Sequence, residues 1–371
     1  MINSANKPLS TESVLTALRE LYSRCGYNRY KMNKFEEYDL YVRNKDFLVS
    51  DNIITFNDLN GRLMALKPDV TLSIIKNTPE SGGVRKVYYN ENVYRAAKNT
   101  RSYREIMQVG LECLGNVDEY CIYEVIRLAA ESLKCISENC VLDISHLGII
   151  GDVLDKCALT GNAKKQALVC IGEKNAHSLA GLCRENGVSA ENSALLTSLV
   201  SIYGSPDEAI PQLKALLPDS PRVKELESVV YAFRGSEVYS LMRIDFSVAG
   251  NMKYYNGFAF RGFVEGVPDG VLSGGQYDRL MAKMGRNSRA IGFAVYLDLL
   301  EDLFAGTKTF DVDTILLYDE GYSIEQINSA VEMLREGGMS VSAQKEIPER
   351  MRYRRLAKLE NGEVKILGNN A

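Results

Sequence analysis

The chain has 371 residues, 46% of them hydrophobic and 25% charged, a balance typical of a globular protein with a large core. At roughly 100–200 residues per domain, this length predicts two or three domains. Its 44 lysines and arginines against 48 aspartates and glutamates give a net charge of −4, which disfavours nucleic acid as a partner. With only two histidines, His146 and His177, a histidine-rich metal site is excluded.

The eight cysteines contain no C-x-x-C pair and no zinc-like spacing. The first residues lack a cationic start followed by an apolar block, so no signal peptide is predicted. We therefore interpret the cysteines as reduced thiols of a cytoplasmic protein. No stretch approaches about 18 uninterrupted apolar residues, and we expect no association with a membrane.

Apolar residues at helical spacing predict a first helix, with an N-cap at Ser10 or Thr11 and an end at Gly26. Between residues 52 and 116 the pattern changes to β-like runs, of which the longest covers 106–114. Asp118 then predicts the N-cap of a long amphipathic helix.

Residues from about 145 to 235 differ in kind, because they predict several short helices and contain four of the nine prolines. We interpret this region as a helical insertion. The β pattern returns at 254–265, where 267–270 predicts the turn of a hairpin. Residues 292–303 predict a strand that continues into a helix.

The last segment, residues 309–371, predicts a small α/β domain. It contains a strand at 314–318, a helix at 323–335 and further short strands near Val341 and at 364–367. Residues 345–358 carry six basic and two acidic side chains, which indicates either an RNA-facing patch or a solvated helix. The negative net charge favours the helix.

Side-chain alternation divides the predicted strand at 106–114 into two faces. Met107, Val109, Leu111 and Cys113 form an apolar face, while the other face carries Gln108, Gly110 and Glu112. An amide, a gap and a carboxylate in line suit a small polar ligand, and a central glycine often marks close approach of a ligand. The alternative is a half-exposed strand with one solvated face.

Three arginines precede this strand, Arg95, Arg101 and Arg104. They suit either an anion clamp or a charged hairpin loop. Further upstream, Asp69 and Thr71 follow Pro68, and they either present polar groups to a ligand or cap a helix.

In their order and spacing, these segments resemble the class II catalytic core of the histidyl-tRNA synthetase family over residues 8–305. The matching segments are Gly26-Tyr27 with Phe35-Glu36 for the first motif, 67–71 for the histidine-binding turn, Tyr94-Arg95 with 103–105 and 108–112 for the second motif, Tyr254-Tyr255 and 274–278 for the two histidine segments, and 291–294 for the entry to the third motif.

The resemblance implies an α+β fold, in which helices flank a class II aminoacyl-tRNA synthetase-like antiparallel sheet. Residues 1–305 would form this core, with the helical insertion at about 145–235. Residues 309–371 would form a small α/β domain that resembles a truncated anticodon-binding domain.

The chain also departs from the synthetase pattern. Ala97 replaces the carboxylate that contacts ATP in the second motif, and Leu299 replaces the arginine that ends the third. The catalytic arginine of the histidine segment falls on Gly250, or on Ala249 with a one-residue gap. Each lost group of this kind commonly reduces the rate about 10²–10³-fold, so we expect no synthetase activity.

In contrast, the chain keeps the residues that correspond to the amino-acid contacts of the synthetase family. The resemblance implies that Asp69, Gln108 and Glu112 hold the ammonium group of histidine and Arg95 its carboxylate. Tyr255 and Tyr277 would address the imidazole, with Tyr254 and Thr71 beside them. No cofactor, metal or catalytic residue is implied.

This pattern resembles the regulatory subunits of ATP phosphoribosyltransferase, which are silent paralogues of the synthetase. That family implies histidine biosynthesis, histidine as ligand, a short catalytic subunit as partner in a hetero-octamer, self-association as a dimer, and allosteric feedback inhibition. Two alternatives remain: a divergent histidyl-tRNA synthetase, and a structural pseudo-enzyme whose pocket is empty.

Overall fold

The computed structural model describes residues 10–48, 52–80, 82–96, 102–252, 254–305, 310–336 and 338–370. The chain divides into two compact units, Thr11–Leu303 and a second one that includes Phe304–Ala371. In these ranges, no helix has the length and apolar character that a membrane crossing requires.

Helices and strands are numbered along the chain. The α-helices are α1 Thr11–Arg24, α2 Tyr38–Arg43, α3 Thr71–Asn77, α4 Glu119–Lys134, α5 Leu147–Lys156, α6 Gly161–Gly172, α7 Ala176–Glu185, α8 Ala190–Ser201, α9 Pro206–Leu216, α10 Pro221–Tyr231, α11 Asp278–Lys283, α12 Glu301–Ala305 and α13 Ile324–Arg335. The strands are β1 Asn28–Arg29, β2 Phe35–Glu37, β3 Thr55–Asn57, β4 Leu63–Leu66, β5 Val84–Ala96, β6 Tyr103–Gly115, β7 Cys140–His146, β8 Tyr203–Gly204, β9 Met242–Asp245, β10 Phe258–Val264, β11 Leu272–Gln276, β12 Arg289–Tyr296, β13 Val312–Leu317, β14 Val341–Gln344, β15 Tyr353–Glu360 and β16 Glu363–Asn369.

A nine-stranded sheet forms the centre of the first unit, in the order β1-β5-β6-β12-β11-β10-β7-β9-β8. Within the run β5-β6-β12-β11-β10-β7, each pair of adjacent strands is antiparallel. Parallel pairing occurs between β1 and β5 and between β7 and β9. The predicted hairpin is present as β10 and β11. This is the predicted α+β arrangement, with an antiparallel sheet at its centre.

Helices α1 and α4 cover one face of this sheet. Helix α1 buries the predicted stripe, including Leu18 and Tyr22. Helix α4 begins where the sequence predicted, because the Asp118 side chain accepts a hydrogen bond from Cys121 N at 2.9 Å. The Tyr22 hydroxyl lies 2.9 Å from Ser132 Oγ, so a polar contact joins the two helices under the sheet.

The region predicted as a helical insertion contains the six helices α5 to α10, with the two-residue strand β8 between α8 and α9. Strand β8 pairs with β9 at the end of the sheet. His146, at the end of β7, is buried, and its Nε2 lies 3.3 Å from a carboxylate oxygen of Glu225 on α10. This histidine therefore ties the sheet to the insertion.

A small second sheet, in the order β2-β4-β3, precedes residues 67–71 in sequence. Its outer surface carries two exposed aromatic side chains, Phe35 and Phe56. Their rings meet edge to face, with centroids 5.4 Å apart. Strand β4 ends at Leu66 and leads directly into Lys67 and α3.

In the second unit, a four-stranded sheet has the order β14-β13-β15-β16. Helix α13 packs its buried Ala330 and Leu334 against Leu316, Ala357 and Leu359. Ser323 and Gln326 form a capping box at its start. The predicted strand–helix–strand order is therefore observed.

The predicted solvated helix at 345–358 is wrong. These residues run from the end of β14 through a turn into β15, a strand paired on both sides. Alternation buries Ala357 and Leu359, and strand pairing outweighs the local charge pattern. Four of the six basic groups are ion-paired with acidic residues: Lys345 with Glu320, Arg352 with Asp311, Arg354 with Asp313 and Lys358 with Asp319. The basic segment is thus largely neutralised within its own unit.

Gly110 lies where two neighbouring groups leave no space for a side chain. A Cβ at this position would lie 2.2 Å from the Phe293 carbonyl oxygen and 2.5 Å from the Tyr89 hydroxyl. We expect Gly110→Ala to lower the free energy of unfolding by about 1–3 kcal/mol. Urea denaturation measures the change.

Gly151, within α5, is the matched control, because an added Cβ there would have no atom from outside the local helix backbone within 4 Å. Gly151→Ala should leave stability unchanged or raise it by up to about 1 kcal/mol. Equal effects of the two substitutions would contradict the steric argument at Gly110.

Candidate functional site

A cavity of about 530 Å³ lies on the face of the large sheet opposite α1 and α4. It falls in the size range of small-molecule sites. Its walls come from the start of α3, from β5, β6, β10, β11 and β12, and from the segments that carry Phe47 and Tyr254. The cavity is therefore assembled from distant parts of the first unit.

Glu112, on β6, is the central acidic group of this cavity and is 2% exposed. Its carboxylate accepts hydrogen bonds from Thr71 Oγ1 at 2.7 Å and from the Tyr277 hydroxyl at 2.5 Å. Burial raises the pKa of Glu112 to about 8, although both hydrogen bonds oppose the shift. A ligand that brings a positive charge would stabilise the ionised carboxylate.

The strand beside Glu112 has no room for a side chain at the facing position. Gly292 on β12 pairs directly with Glu112, and a Cβ there would lie 1.8 Å from Glu112 Oε2. On β11, Gly275 is restricted in the same way by the Tyr255 ring, at 2.9 Å. These glycines make room for the Glu112 carboxylate and the Tyr255 ring against the sheet.

Asp69 has both of the roles that the sequence left open. Its Oδ1 accepts a hydrogen bond from Leu72 N at 2.9 Å, which satisfies a free amide at the start of α3. The same side chain lines the cavity and is buried. Burial raises the pKa of Asp69, and the nearby Arg95 charge partly offsets this. Thr71 instead directs its hydroxyl to Glu112.

Three contacts to β5 fix the turn that carries Asp69. Lys67 is 1% exposed, and its ammonium group lies 2.5 Å from Glu91 Oε2. Tyr94 N donates to the Lys67 carbonyl at 2.9 Å, and Arg95 Nε donates to the Pro68 carbonyl at 2.8 Å. These contacts hold Asp69 and Arg95 together at one side of the cavity.

Three tyrosines close another side. The Tyr254 ring centroid lies 4.9 Å from that of Tyr255 and 5.9 Å from that of Tyr277. Phe47 packs edge-on against Tyr254 at 6.3 Å. Burial raises the pKa of all three phenols, so they remain neutral hydrogen-bonding groups.

All eight residues predicted to bind histidine line this one cavity: Asp69, Thr71, Arg95, Gln108, Glu112, Tyr254, Tyr255 and Tyr277. The alternative of a solvated strand face is wrong, because Gln108 and Glu112 are 3% and 2% exposed. Of the predicted arginine clamp, Arg95 lines the cavity, whereas Arg104 is exposed and does not. Arg101 lies outside the described residues. Ligand binding itself stays a prediction.

The sequence did not identify several cavity residues, among them Arg261, Ser273 and Tyr296. Arg261 had a detectable signal, since it is the single charged residue in the otherwise apolar run 258–264. Ser273 and Tyr296 had none, because strand register alone brings them to this face.

Two positions at which the synthetase pattern is broken fall within described backbone. Leu299 lies in a short 3-10 helix, Leu297–Leu300, directly after β12. Gly250 lies in a second one, Phe246–Asn251. Ala97 lies outside the described residues.

A flanked antiparallel sheet with this polar cavity on its face defines a class II synthetase-like domain. The family model described as histidyl-tRNA synthetase matches residues 7–300, and the chain belongs to this family. The resemblance and the fold class predicted from the sequence are both confirmed by the relatives that follow.

Among curated proteins, an ATP phosphoribosyltransferase regulatory subunit from Clostridium kluyveri is 28% identical over 353 residues, which cover 91% of this chain and 89% of that protein. A crystal structure described as an ATP phosphoribosyltransferase regulatory subunit/histidyl-tRNA synthetase from Bacillus halodurans has a TM-score of 0.75 at 22% identity and covers 96% of this chain and 99% of its own. A chain of the ATP phosphoribosyltransferase (HisG:HisZ) complex from Thermotoga maritima has a TM-score of 0.61 at 20% identity and covers 78% and 97%. At these identities, the two structures establish the fold.

The buried ion pair behind the Asp69 turn gives a stability prediction. Lys67→Met leaves Glu91 without its partner, and we expect a loss of about 3–5 kcal/mol in the free energy of unfolding. The double variant Lys67→Met/Glu91→Leu should recover most of this loss, because it removes both charges. Chemical denaturation measures both variants, and additive losses would contradict the ion-pair interpretation.

Proposed function

We propose that this protein is a non-catalytic regulatory subunit that binds histidine and controls the activity of a short ATP phosphoribosyltransferase catalytic subunit in histidine biosynthesis. The observation that carries the proposal is the gathering of all eight predicted ligand residues at one cavity. The names of the curated relatives support the same role.

The arrangement of charges suits an α-amino acid. Asp69 and Gln108 would hold the ammonium group and Arg95 the carboxylate, since the Asp69 turn and Arg95 share one side of the cavity. Glu112 contacts Thr71 on the ammonium side and Tyr277 on the imidazole side, so it would contribute to both. Tyr255, with Tyr254 beside it, would complete the imidazole side.

Adenylate formation is not part of the proposal. The transferred phosphoryl group requires preorganised positive charge, and a single lost group commonly costs about 10²–10³ in rate. At the family positions the chain carries Gly250 and Leu299 in place of arginines, and Ala97 in place of a carboxylate. A divergent histidyl-tRNA synthetase is therefore the alternative to be tested.

Feedback inhibition would follow if histidine binds with different affinity to an active and an inactive arrangement of the assembly. Such a coupling is typically worth about 1–3 kcal/mol. We propose a hetero-octamer with the catalytic subunit, built on dimers of this chain. The exposed pair Phe35 and Phe56, with Val42 also 47% exposed, supports a self-association surface near the first motif. The eight free thiols fit a cytoplasmic location.

The central experiment is calorimetric titration of L-histidine into the purified chain, followed by assay of a short catalytic subunit with and without it. We expect binding, activation by the chain, and inhibition on addition of histidine. Glu112→Ala should abolish histidine inhibition while leaving assembly with the catalytic subunit intact.

Two results would overturn the proposal. One is failure of the wild-type chain both to bind histidine and to change the activity of the catalytic subunit. The other is histidine-dependent ATP–pyrophosphate exchange by the chain alone, which would establish the synthetase alternative. Loss of inhibition without loss of assembly in Glu112→Ala excludes the empty pseudo-enzyme.

The raised pKa of Glu112 predicts a pH dependence. Below about pH 8 the free carboxyl is mostly protonated, and a bound cation requires it ionised, so binding releases a proton. Affinity should therefore rise with pH between 6.5 and 8, by up to about tenfold per unit at the acid end. Calorimetry across this range measures the slope.

Glu112→Gln should remove the slope, because no carboxyl remains to titrate. Glu105→Gln is the control, since Glu105 lies on the same strand but is exposed and does not line the cavity. A pH-independent wild-type affinity would show that Glu112 does not meet the cationic part of the ligand.

A further inference from the structure

Arg261 is a cavity residue to which no role has been given. It lies on β10 and lines the cavity on the side far from Arg95. Its guanidinium carbon lies 5.1 Å from the centroid of the Phe263 ring. Its Nε lies 2.3 Å from where a Cβ on Gly270 would be, so the side chain packs closely against the Gly270 backbone. The arginine is thus held between an aromatic ring and a stretch of bare backbone.

Arg261 is exposed and forms no ion pair among the residues that the structure describes. Among the described residues, no hydrogen bond and no ion pair involves Arg261. Asp143 is its direct neighbour in the sheet, across the β7–β10 pair. Burial raises the pKa of Asp143, and the Arg261 charge partly offsets this, although the two groups form no ion pair. A positioned arginine without a partner at the wall of a cavity is suited to bind an anionic ligand group.

The sheet register places Arg261 three strands away from Gly110, which lies between the cavity residues Gln108 and Glu112 on β6. Gly110 pairs with Ala294, Ala294 with Ser273, and Ser273 with Arg261. These three strand intervals span roughly 14 Å. Small side chains along this row leave room for a ligand that lies over the sheet between the two walls.

Arg95 alone provides an incomplete carboxylate site. Its Nε is already engaged by the Pro68 carbonyl, so only the terminal nitrogens remain for a ligand. Among the cavity-lining residues, Arg95 and Arg261 are the two with positive charge. The family arginine that would fall on Gly250 is absent from this chain.

We propose that Arg261 binds the carboxylate of the amino-acid ligand from the side opposite Arg95, and thereby restricts the site to ligands with a free α-carboxylate. This inference rests on the proposed function, because it assumes that histidine occupies the cavity. Arg261 supplies from β10 the positive charge that the chain lacks at position 250.

The test compares L-histidine with L-histidinol, in which a hydroxymethyl group replaces the carboxylate, by calorimetric titration. The wild-type chain should prefer histidine. Arg261→Ala should weaken histidine binding by about 10- to 100-fold and leave histidinol binding within about threefold. Arg261→Lys should retain part of the preference, because it keeps the charge without the planar fork.

Arg279→Ala is the charge-matched control, since Arg279 is exposed on α11 and does not line the cavity. Unchanged histidine affinity in Arg261→Ala, or equal weakening of both ligands, would overturn the role of Arg261 and leave the proposed function standing. Failure of the wild-type chain to bind histidine would overturn both. A thermal melt of each variant confirms that it is folded.

Discussion

A carboxylate buried on the central sheet is the constraint on which the cavity depends. Glu112 is nearly inaccessible to water, and an unsatisfied carboxyl in that position would cost several kcal/mol. Thr71 and Tyr277 donate the two hydrogen bonds that compensate for the burial of this carboxyl group. One residue lies well before Glu112 in the sequence and the other well after it. Gly292 must be glycine for the carboxylate to fit at all. The start of α3, the end of β11 and the β6–β12 pair are therefore positioned around one functional group.

A second constraint acts on the turn that carries Asp69. This turn joins the small sheet to α3, and the Lys67–Glu91 ion pair fixes it to β5. Because Arg95 also bonds to the Pro68 carbonyl, an acidic and a basic group meet the cavity side by side. The same turn continues from the sheet whose aromatic surface is exposed, so that surface and the cavity share a short covalent connection.

The sequence predicted most of the polar residues of the candidate site, but it did not predict features that depend on pairing between strands far apart in the chain. The residue order in 67–71 and 108–112 marked the polar face, and capping rules located α4 at Asp118. The strand β15 was missed, because its basic residues indicated a solvated helix and its parallel partner β13 lies about 40 residues upstream. Arg261 was also missed, because a single charged residue in an apolar strand does not show which other strands its side chain faces.

The sequence by itself determined the fold class, the family and the identities of eight of the residues that line the cavity, because motif spacing and side-chain alternation are local properties of the chain. Only the tertiary structure decided that the polar face of β6 is buried, that Asp69 both caps α3 and lines the cavity, and that Arg261 lines the same cavity from β10. Burial, protonation and charge pairing depend on neighbours supplied by remote strands, and register alone sets which neighbours these are.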